Sequence, residues 1–238
     1  MPRKVATIYA LQRRFHADTW ALACITLGAY LLYGLEKRLV RDNAVYYYSA
    51  KQLNLGVPPL LSFFDIKPPL TSFFSGVGVA LAPLFDVHEL IVVRALYLPL
   101  GLLTILATQR LAKDIWNSRW IAWVAGLSLL ALEPLLFATL AGPRPKVLVL
   151  FCVVTAMLAI TRSRFMTAGV LGSLAFLSWQ PGGIVLLTAS VSLMLFREGT
   201  RELFRLVLGA AIPVLLMSAY YVWVGGFQEF LDATLLIH

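Results

Sequence analysis

Long apolar runs, broken by short clusters of charge, proline and glycine, recur along this 238-residue chain. They fall at about 18–36, 91–109, 120–141, 146–161, 165–179, 181–196 and 205–224, with an eighth at 69–85. A helix crosses a bilayer in roughly 20 residues or somewhat fewer, and the Pro/Gly breaks and charges set the limits of each run. The pattern predicts an all-α polytopic membrane protein. One stretch interrupts it: 41–74, RDNAVYYYSAKQLNLGVPPLLSFFDIKPPLTSFF, places charge, three tyrosines and a Lys-Pro-Pro after the first run.

The basic residues assign sides. Arg3, Lys4, Arg13 and Arg14 precede the first run; Arg110, Lys113 and Arg119 form one short loop; Arg162 and Arg164 form another; Arg197, Arg201 and Arg205 form the last. All four groups belong on the cytoplasmic side under the positive-inside rule. That holds only if 69–85 does not make a full crossing beside 91–109. It is therefore expected to lie along or dip into the outer face, its Gly76, Gly78, Ser and Thr residues packed in protein rather than lipid. The result is about seven crossings, with a 1–17 cytoplasmic tail, an outer loop at 37–90 holding juxtamembrane helices, and an outer segment at 225–238. Eight spans with one misplaced basic loop is the alternative.

Composition agrees. The chain is 60% hydrophobic and 13% charged, with mean hydropathy +0.80, where a soluble domain carries about 25% charged residues. The net charge of +8 is accounted for by topology, not by nucleic acid. Cys24 and Cys152 lie in apolar runs and read as small core residues. The basic amino end resembles a signal peptide, but no small-residue cleavage site follows Leu35, so the segment reads as a retained span. The eight remaining cations, Lys37, Arg38, Arg41, Lys51, Lys67, Arg94, Arg144 and Lys146, fall near the outer surface. The positive-inside rule does not explain them, and an anionic ligand does.

Asp42 begins a short amphipathic helix in which Asp42, Tyr46 and Ala50 share a face. An acid there is also a routine helix-start residue, or else a carboxylate able to take a proton from a nucleophile. Lys67 precedes Pro68-Pro69, which start a helix, so it reads either as part of a phosphate cradle or as a snorkelling lysine. Arg144 and Lys146, in the turn Gly142-Pro143-Arg144-Pro145-Lys146, stand at another helix start, as headgroup anchors or as further phosphate ligands. Glu133 lies near the outer end of the third crossing, where an acid is costly unless paired or wet. Arg94 is expected to pair with Glu133, Asp86 or Glu89. Trp179 and Gln180 precede Pro181-Gly182-Gly183 between two short helices, where they suit a sugar face and its hydroxyls or an ordinary interfacial turn. His88 and His238 are isolated, so spacing gives no metal site. Neither a nucleotide-binding glycine motif nor an internal repeat is present.

The order Asp42-x-Ala44-x-x-Tyr47, Ala50-Lys51-x-x-x-x-Gly56-x-Pro58 and Phe63-Phe64-Asp65-x-Lys67-Pro68-Pro69-Leu70 resembles the amino-terminal part of the GT-C membrane glycosyltransferases. Among them it is most similar to relatives of the dolichyl-phosphate-mannose protein mannosyltransferases and the aminoarabinose lipid A transferases. Arg94 matches an Arg that starts the next span, and Leu174–Gly182 matches a stretch where many members have Leu-Thr-Lys-Gly-Pro. The resemblance implies about seven crossings, a polyprenyl-phosphate sugar donor and outer-face catalysis. It also implies Asp42 as base and Lys67 beside the donor phosphate, and it allows a divalent metal. Asp42-Asn43 replaces the paired acids of many members, a departure that bears on any metal site. Members are commonly longer, so a fragment, a minimal module or an inactive relative is expected.

The reading is an inverting glycosyltransferase of the cell membrane, with its amino end inside. Asp42 is the base; Lys67, Arg144 and Lys146 hold the donor phosphate; Tyr46, Glu133, Trp179 and Gln180 shape the sugar and acceptor pocket. Its expected partners are the lipid-linked donor and membrane lipids. The alternatives are a transporter or translocase of lipid-linked saccharide, which would bind the same phosphate without chemistry, and a non-catalytic membrane subunit.

Overall fold

The computed structural model describes residues 2–34, 39, 41–61, 65, 67–195 and 199–235, with side chains from His16 onward except at position 41. Lys37, Arg38, Phe63, Phe64, Arg197 and His238 lie outside the described residues, as do the side chains of Arg3, Lys4, Arg13, Arg14 and Arg41.

Every regular element among the described residues is helical. In order they are α1 (Pro2–Tyr33), α2 (Arg41–Asn54), α3 (Leu70–Leu81) with a 3-10 turn at Ala82–Leu84, α4 (Glu89–Trp116), α5 (Arg119–Leu130) and α6 (Glu133–Ala141). Then follow α7 (Pro145–Thr161), α8 (Phe165–Ser178), a 3-10 turn at Gln180–Gly183, α9 (Ile184–Leu195), α10 (Thr200–Trp223) and α11 (Phe227–Leu235). The local chemistry explains several ends. His88 Nδ1 accepts the Leu90 N–H at 3.2 Å and caps α4, whose far end closes on left-handed Asn117. Pro145 opens α7, where its missing N–H leaves no bond unmade.

Residues 2–17, expected as a cytoplasmic tail, are the first half of one 32-residue helix. One expectation is corrected. The run at 120–141 is two helices, α5 and α6, that meet at 59°. Pro134 explains the break: in a continuous helix its ring would meet the carbonyl four residues back, whereas in the first turn of a new helix it costs nothing.

Helices α4 and α10 are long and apolar enough to cross a membrane, with mean hydropathies of 2.2 and 1.9, and the bent α5–α6 pair makes a third crossing if counted as one. The apolar helices α7, α8 and α9 have 17, 14 and 12 residues. At 1.5 Å per residue they reach about 26, 21 and 18 Å, against roughly 30 Å of hydrocarbon. Large apolar side chains face outward along the bundle, among them Leu31, Leu32, Leu187 and Met194. A surface of that kind suits lipid.

Contacts sort the loops to two ends. At one end Arg119 grips Asp18 with Nε and Nη2 at 2.6 Å each, and Asp114 pairs with Arg110 at 3.1 Å and with Arg162 at 2.8 Å. The start of α8 packs on the start of α10 at the same end. There a Cβ on Gly169 would strike the Leu206 carbonyl, and one on Gly209 the Met166 carbonyl. At the other end Tyr221 donates to the Pro59 carbonyl at 2.9 Å, joining α10 to the loop before α3. Trp20, Trp116 and Trp120 are exposed at the first end and Trp223 at the second, as in the aromatic belts of membrane proteins.

Helix α3 packs between α2 and α4, with Thr71, Ser72, Ser75 and Gly76 buried in protein, as expected for a segment that does not face lipid. The core it joins includes Val93, Tyr97, Val147 and Cys152. Of the two cysteines expected in the core, Cys152 is buried and Cys24 is exposed on α1.

Candidate functional site

The site forms at the end opposite the Asp18–Arg119 pair, and the tyrosine run of α2 organises it. A helix turns about 100° per residue, so three consecutive tyrosines point three ways. Tyr46 is buried, Tyr47 is half-buried and Tyr48 is exposed. Tyr47 donates to Glu89 Oε2 at 2.7 Å, and Lys51 Nζ lies 3.0 Å from the same oxygen. Asn54 Nδ2 donates to the Gly76 carbonyl at 3.0 Å. These bonds fasten α2 to the first turn of α4 and to α3. Burial holds the Tyr47 phenol well above its ordinary pKa, and Glu89 adds to the effect.

Tyr46 is the meeting point. Lys67 Nζ sits over its ring at 5.4 Å from the centroid. Burial raises its phenol pKa, and Asp65, then Asp42, then Tyr97 raise it further by charge. Asp65 Oδ1 accepts the Lys67 backbone N–H at 3.1 Å and fixes the lysine's approach to Pro68-Pro69 and α3. Tyr97, fully buried, shares a 3.0 Å hydrogen bond with Ser75, meets Phe74 edge-on at 5.3 Å and approaches the Arg144 backbone. Asp42, Tyr46, Asp65, Lys67 and the Arg144 turn therefore occupy one neighbourhood. Asp42 is exposed at its edge, and Arg144 Nε is buried there with no hydrogen-bond partner.

The other expected residues are placed differently. Lys146 lies over one face of the Trp179 ring, 5.6 Å from its centroid, so a sugar stacking on that face would displace an ammonium. Gln180 Nε2 donates to the Ala233 carbonyl at 2.8 Å and tethers α11, so that N–H faces α11 and not an open pocket. Tyr46 is only 2% exposed and acts as a platform for Lys67, not as an open pocket wall. Glu133 is exposed at the α5–α6 break, with no ion pair among the described residues. Its side chain belongs to the bent helix, away from the Tyr46 neighbourhood. Arg94 Nε donates to the Ala141 carbonyl at 3.3 Å, and Glu89 is engaged by Tyr47 and Lys51 instead. The guanidinium crosses the turn at Gly142, where φ is +106° and a Cβ would lie 3.0 Å from Arg94 Cγ.

Ser75 and Tyr97 join the neighbourhood without having been singled out from sequence, and Asp65 and Asn43 join it from motifs in which they were given no role. Asn43 is fully buried, with neither amide atom partnered. Its place beside Asp42 was the available signal. Tyr97, a lone tyrosine inside an apolar run, gave almost none. No cluster of three or more His, Cys, Asp or Glu side chains suited to a metal ion forms among the described residues. The arrangement offers a carboxylate at the surface, one lysine steered by an aromatic ring and an Asx turn, and an unpaired buried guanidinium N–H. Those groups suit an anion held beside a proton acceptor. Compared with family models, curated proteins and solved structures, the chain matches none.

Proposed function

We propose that the chain transfers a sugar from a polyprenyl phosphate to an acceptor hydroxyl at the outer face of the cell membrane. In this reading α1, α4, the α5–α6 pair, α7, α8, α9 and α10 make seven crossings, with the amino end inside. Helices α2 and α3 lie at the outer face. The gathering of Asp18, Arg119, Asp114 and Arg162 at the opposite end supports that orientation. The observation that carries the function is the Lys67 ammonium over the buried Tyr46 ring, on which Asp42 also acts by charge, with Arg144 Nε buried and unpartnered at the turn that Tyr97 touches. A buried N–H donor without a partner is costly and calls for an acceptor; a phosphate oxygen supplies one. The resemblance of 42–70 to the GT-C transferases supports the same chemistry.

The acceptor oxygen attacks the anomeric carbon from the face opposite the phosphate. As the new C–O bond forms, the bond from that carbon to the phosphate oxygen breaks, and its electron pair leaves with the lipid phosphate. Asp42 takes the hydroxyl proton. Lys67 and Arg144 stabilise the charge on the departing phosphate, so the leaving group needs no proton. Lys146 reaches the same phosphate once it leaves Trp179.

The test is transfer from labelled polyprenyl-phosphate sugars by the full chain in nanodiscs. Asp42→Asn should lower turnover by about 10²–10⁴-fold with donor binding intact. Lys67→Ala and Arg144→Ala should weaken donor binding. Full activity in Asp42→Asn sinks the base assignment, and unchanged donor affinity in both cation variants sinks the phosphate site.

A further inference from the structure

A second feature lies away from Tyr46. It is an apolar groove of about 420 Å³ between the later half of α7, the start of α8, α9 and the last turns of α4. Leu111 and Ile115 line one side, Met157 another, and Ile184 and Thr188 the third. Two of its hydroxyls are already satisfied, Thr188 donating to the Ile184 carbonyl at 2.9 Å and Thr161 to the Leu158 carbonyl at 2.9 Å, and Ser192 adds a third at the wall. The rest of the groove asks for apolar volume.

Its length and its mouth identify the guest. Along α7 it runs from Val153 to Thr161, about 12 Å at 1.5 Å per residue, close to half of a hydrocarbon core of roughly 30 Å. It thus covers the depth of one leaflet, beginning at the basic end. There Thr161 and Phe165 flank Arg162 and Arg164. One carboxylate, Asp114, is shared between Arg110 and Arg162. Arg164 is exposed, and its side chain has no hydrogen-bond or ion-pair partner among the described residues. A positive mouth over a chain-shaped apolar groove fits an amphiphile with an anionic head.

We infer that this groove binds an anionic phospholipid of the cytoplasmic leaflet, one acyl chain along α7 and α9 and its phosphate at Arg164 and Arg162. The inference does not rest on the transferase reading, but it takes from the same proposal the placement of the basic end on the cytoplasmic side. A polybasic surface contributes a few-fold in affinity per cation toward anionic lipid, so two arginines favour phosphatidylglycerol over phosphatidylcholine by on the order of ten-fold.

The experiment is native mass spectrometry of the delipidated full chain in detergent, titrated with dioleoyl phosphatidylglycerol and, separately, dioleoyl phosphatidylcholine. The expected result is one retained phosphatidylglycerol with about ten-fold preference. Arg164→Ala, at an exposed position, should reduce that preference, and Arg162→Ala with Arg164→Ala should bring the two lipids to parity. Met157→Trp or Thr188→Trp, filling the groove from opposite walls, should lose both lipids. Equal retention of the two lipids by the native chain overturns the inference, as does phosphatidylglycerol binding unchanged in the arginine variants. A dimer that Met157→Trp dissociates also overturns it, since a second copy would then be the occupant.

Discussion

The contact between α8 and α10 gives the sharpest physical test of this fold. A Cβ on Gly169 would collide with the Leu206 carbonyl and come within 2.8 Å of the Ala210 nitrogen; one on Gly209 would collide with the Met166 carbonyl. The obstructing atoms are backbone, so no side-chain rotation relieves the clash and the two helices must part. Heavy atoms rest about 3.5 Å apart, so Gly169→Ala or Gly209→Ala requires a separation on the order of 1 Å. Overpacking costs about 1–3 kcal/mol, and a backbone clash belongs at the upper end. Replacing glycine with alanine in a helix returns about 1 kcal/mol. The net loss is about 2 kcal/mol for each variant, or a fall in Tm of about 4–8 °C for a chain of this size. The double variant should lose less than the sum, because helices parted for one methyl accommodate the other. Cys152, buried in α7, reports unfolding to a thiol-reactive dye once exposed Cys24 is replaced by serine. An unchanged or raised Tm in either single variant, or strict additivity in the double, refutes the close approach.

Other outcomes follow from the same contacts. Tyr221→Phe should remove the only tie described between Tyr221 Oη and the Pro59 carbonyl; leaving that carbonyl buried and unmet costs about 1–3 kcal/mol, read as faster proteolysis at 57–61. Arg119→Lys should not rescue Arg119→Ala in thermal stability, because an ammonium cannot reproduce the two-pronged grip on Asp18. Gln180→Ala should expose α11 to hydrogen exchange, since it deletes the bond to Ala233. Alkaline titration followed by ultraviolet absorbance should show Tyr46 and Tyr47 still protonated near pH 10, the ordinary tyrosine pKa. The sign of the linkage follows: the folded state keeps protons that the unfolded state releases, so stability is level below about pH 10 and falls as the pH rises above it. Ionisation of all tyrosines together near pH 10 contradicts the burial of Tyr46.

Helix positions were legible because hydropathy and the Pro/Gly breaks report length directly. The packing of α3 in protein was legible because charge parity argued against a full crossing at 69–85, and its buried Thr71, Ser72 and Ser75 agree. Other features depend on distant pairings that no local pattern encodes. Tyr221 and Pro59 are 162 residues apart and Arg94 and Ala141 are 47 apart. The charge of Arg94 suggested an acid as partner, and nothing local announced its bond to a backbone carbonyl beside a left-handed glycine. The basic residues in the first half of α1 suggested a tail because charge marks water, and the helix runs through them because Lys and Arg are also good helix formers. At the site, Asp42, Lys67 and Arg144 were read from their positions at helix starts. Tyr97, which links them, was hidden because a buried tyrosine in an apolar run looks like any other core residue.

Helix α4 has 28 residues, about 42 Å at 1.5 Å per residue, which exceeds the hydrocarbon by some 12 Å. Tyr97 stands level with the Arg144 turn at the head of α7; above it Leu90 and Arg94 pack on Gly142, and Glu89 at the tip carries α2 through Tyr47 and Lys51. Helix α4 is thus a mast, stepped in the bilayer, with the Asp42 helix rigged to its top. Because Asn54 ties α2 to α3 as well, and Lys67 leads into α3 while lying over Tyr46 of α2, a change in the tilt of α4 would carry Asp42 and Lys67 together.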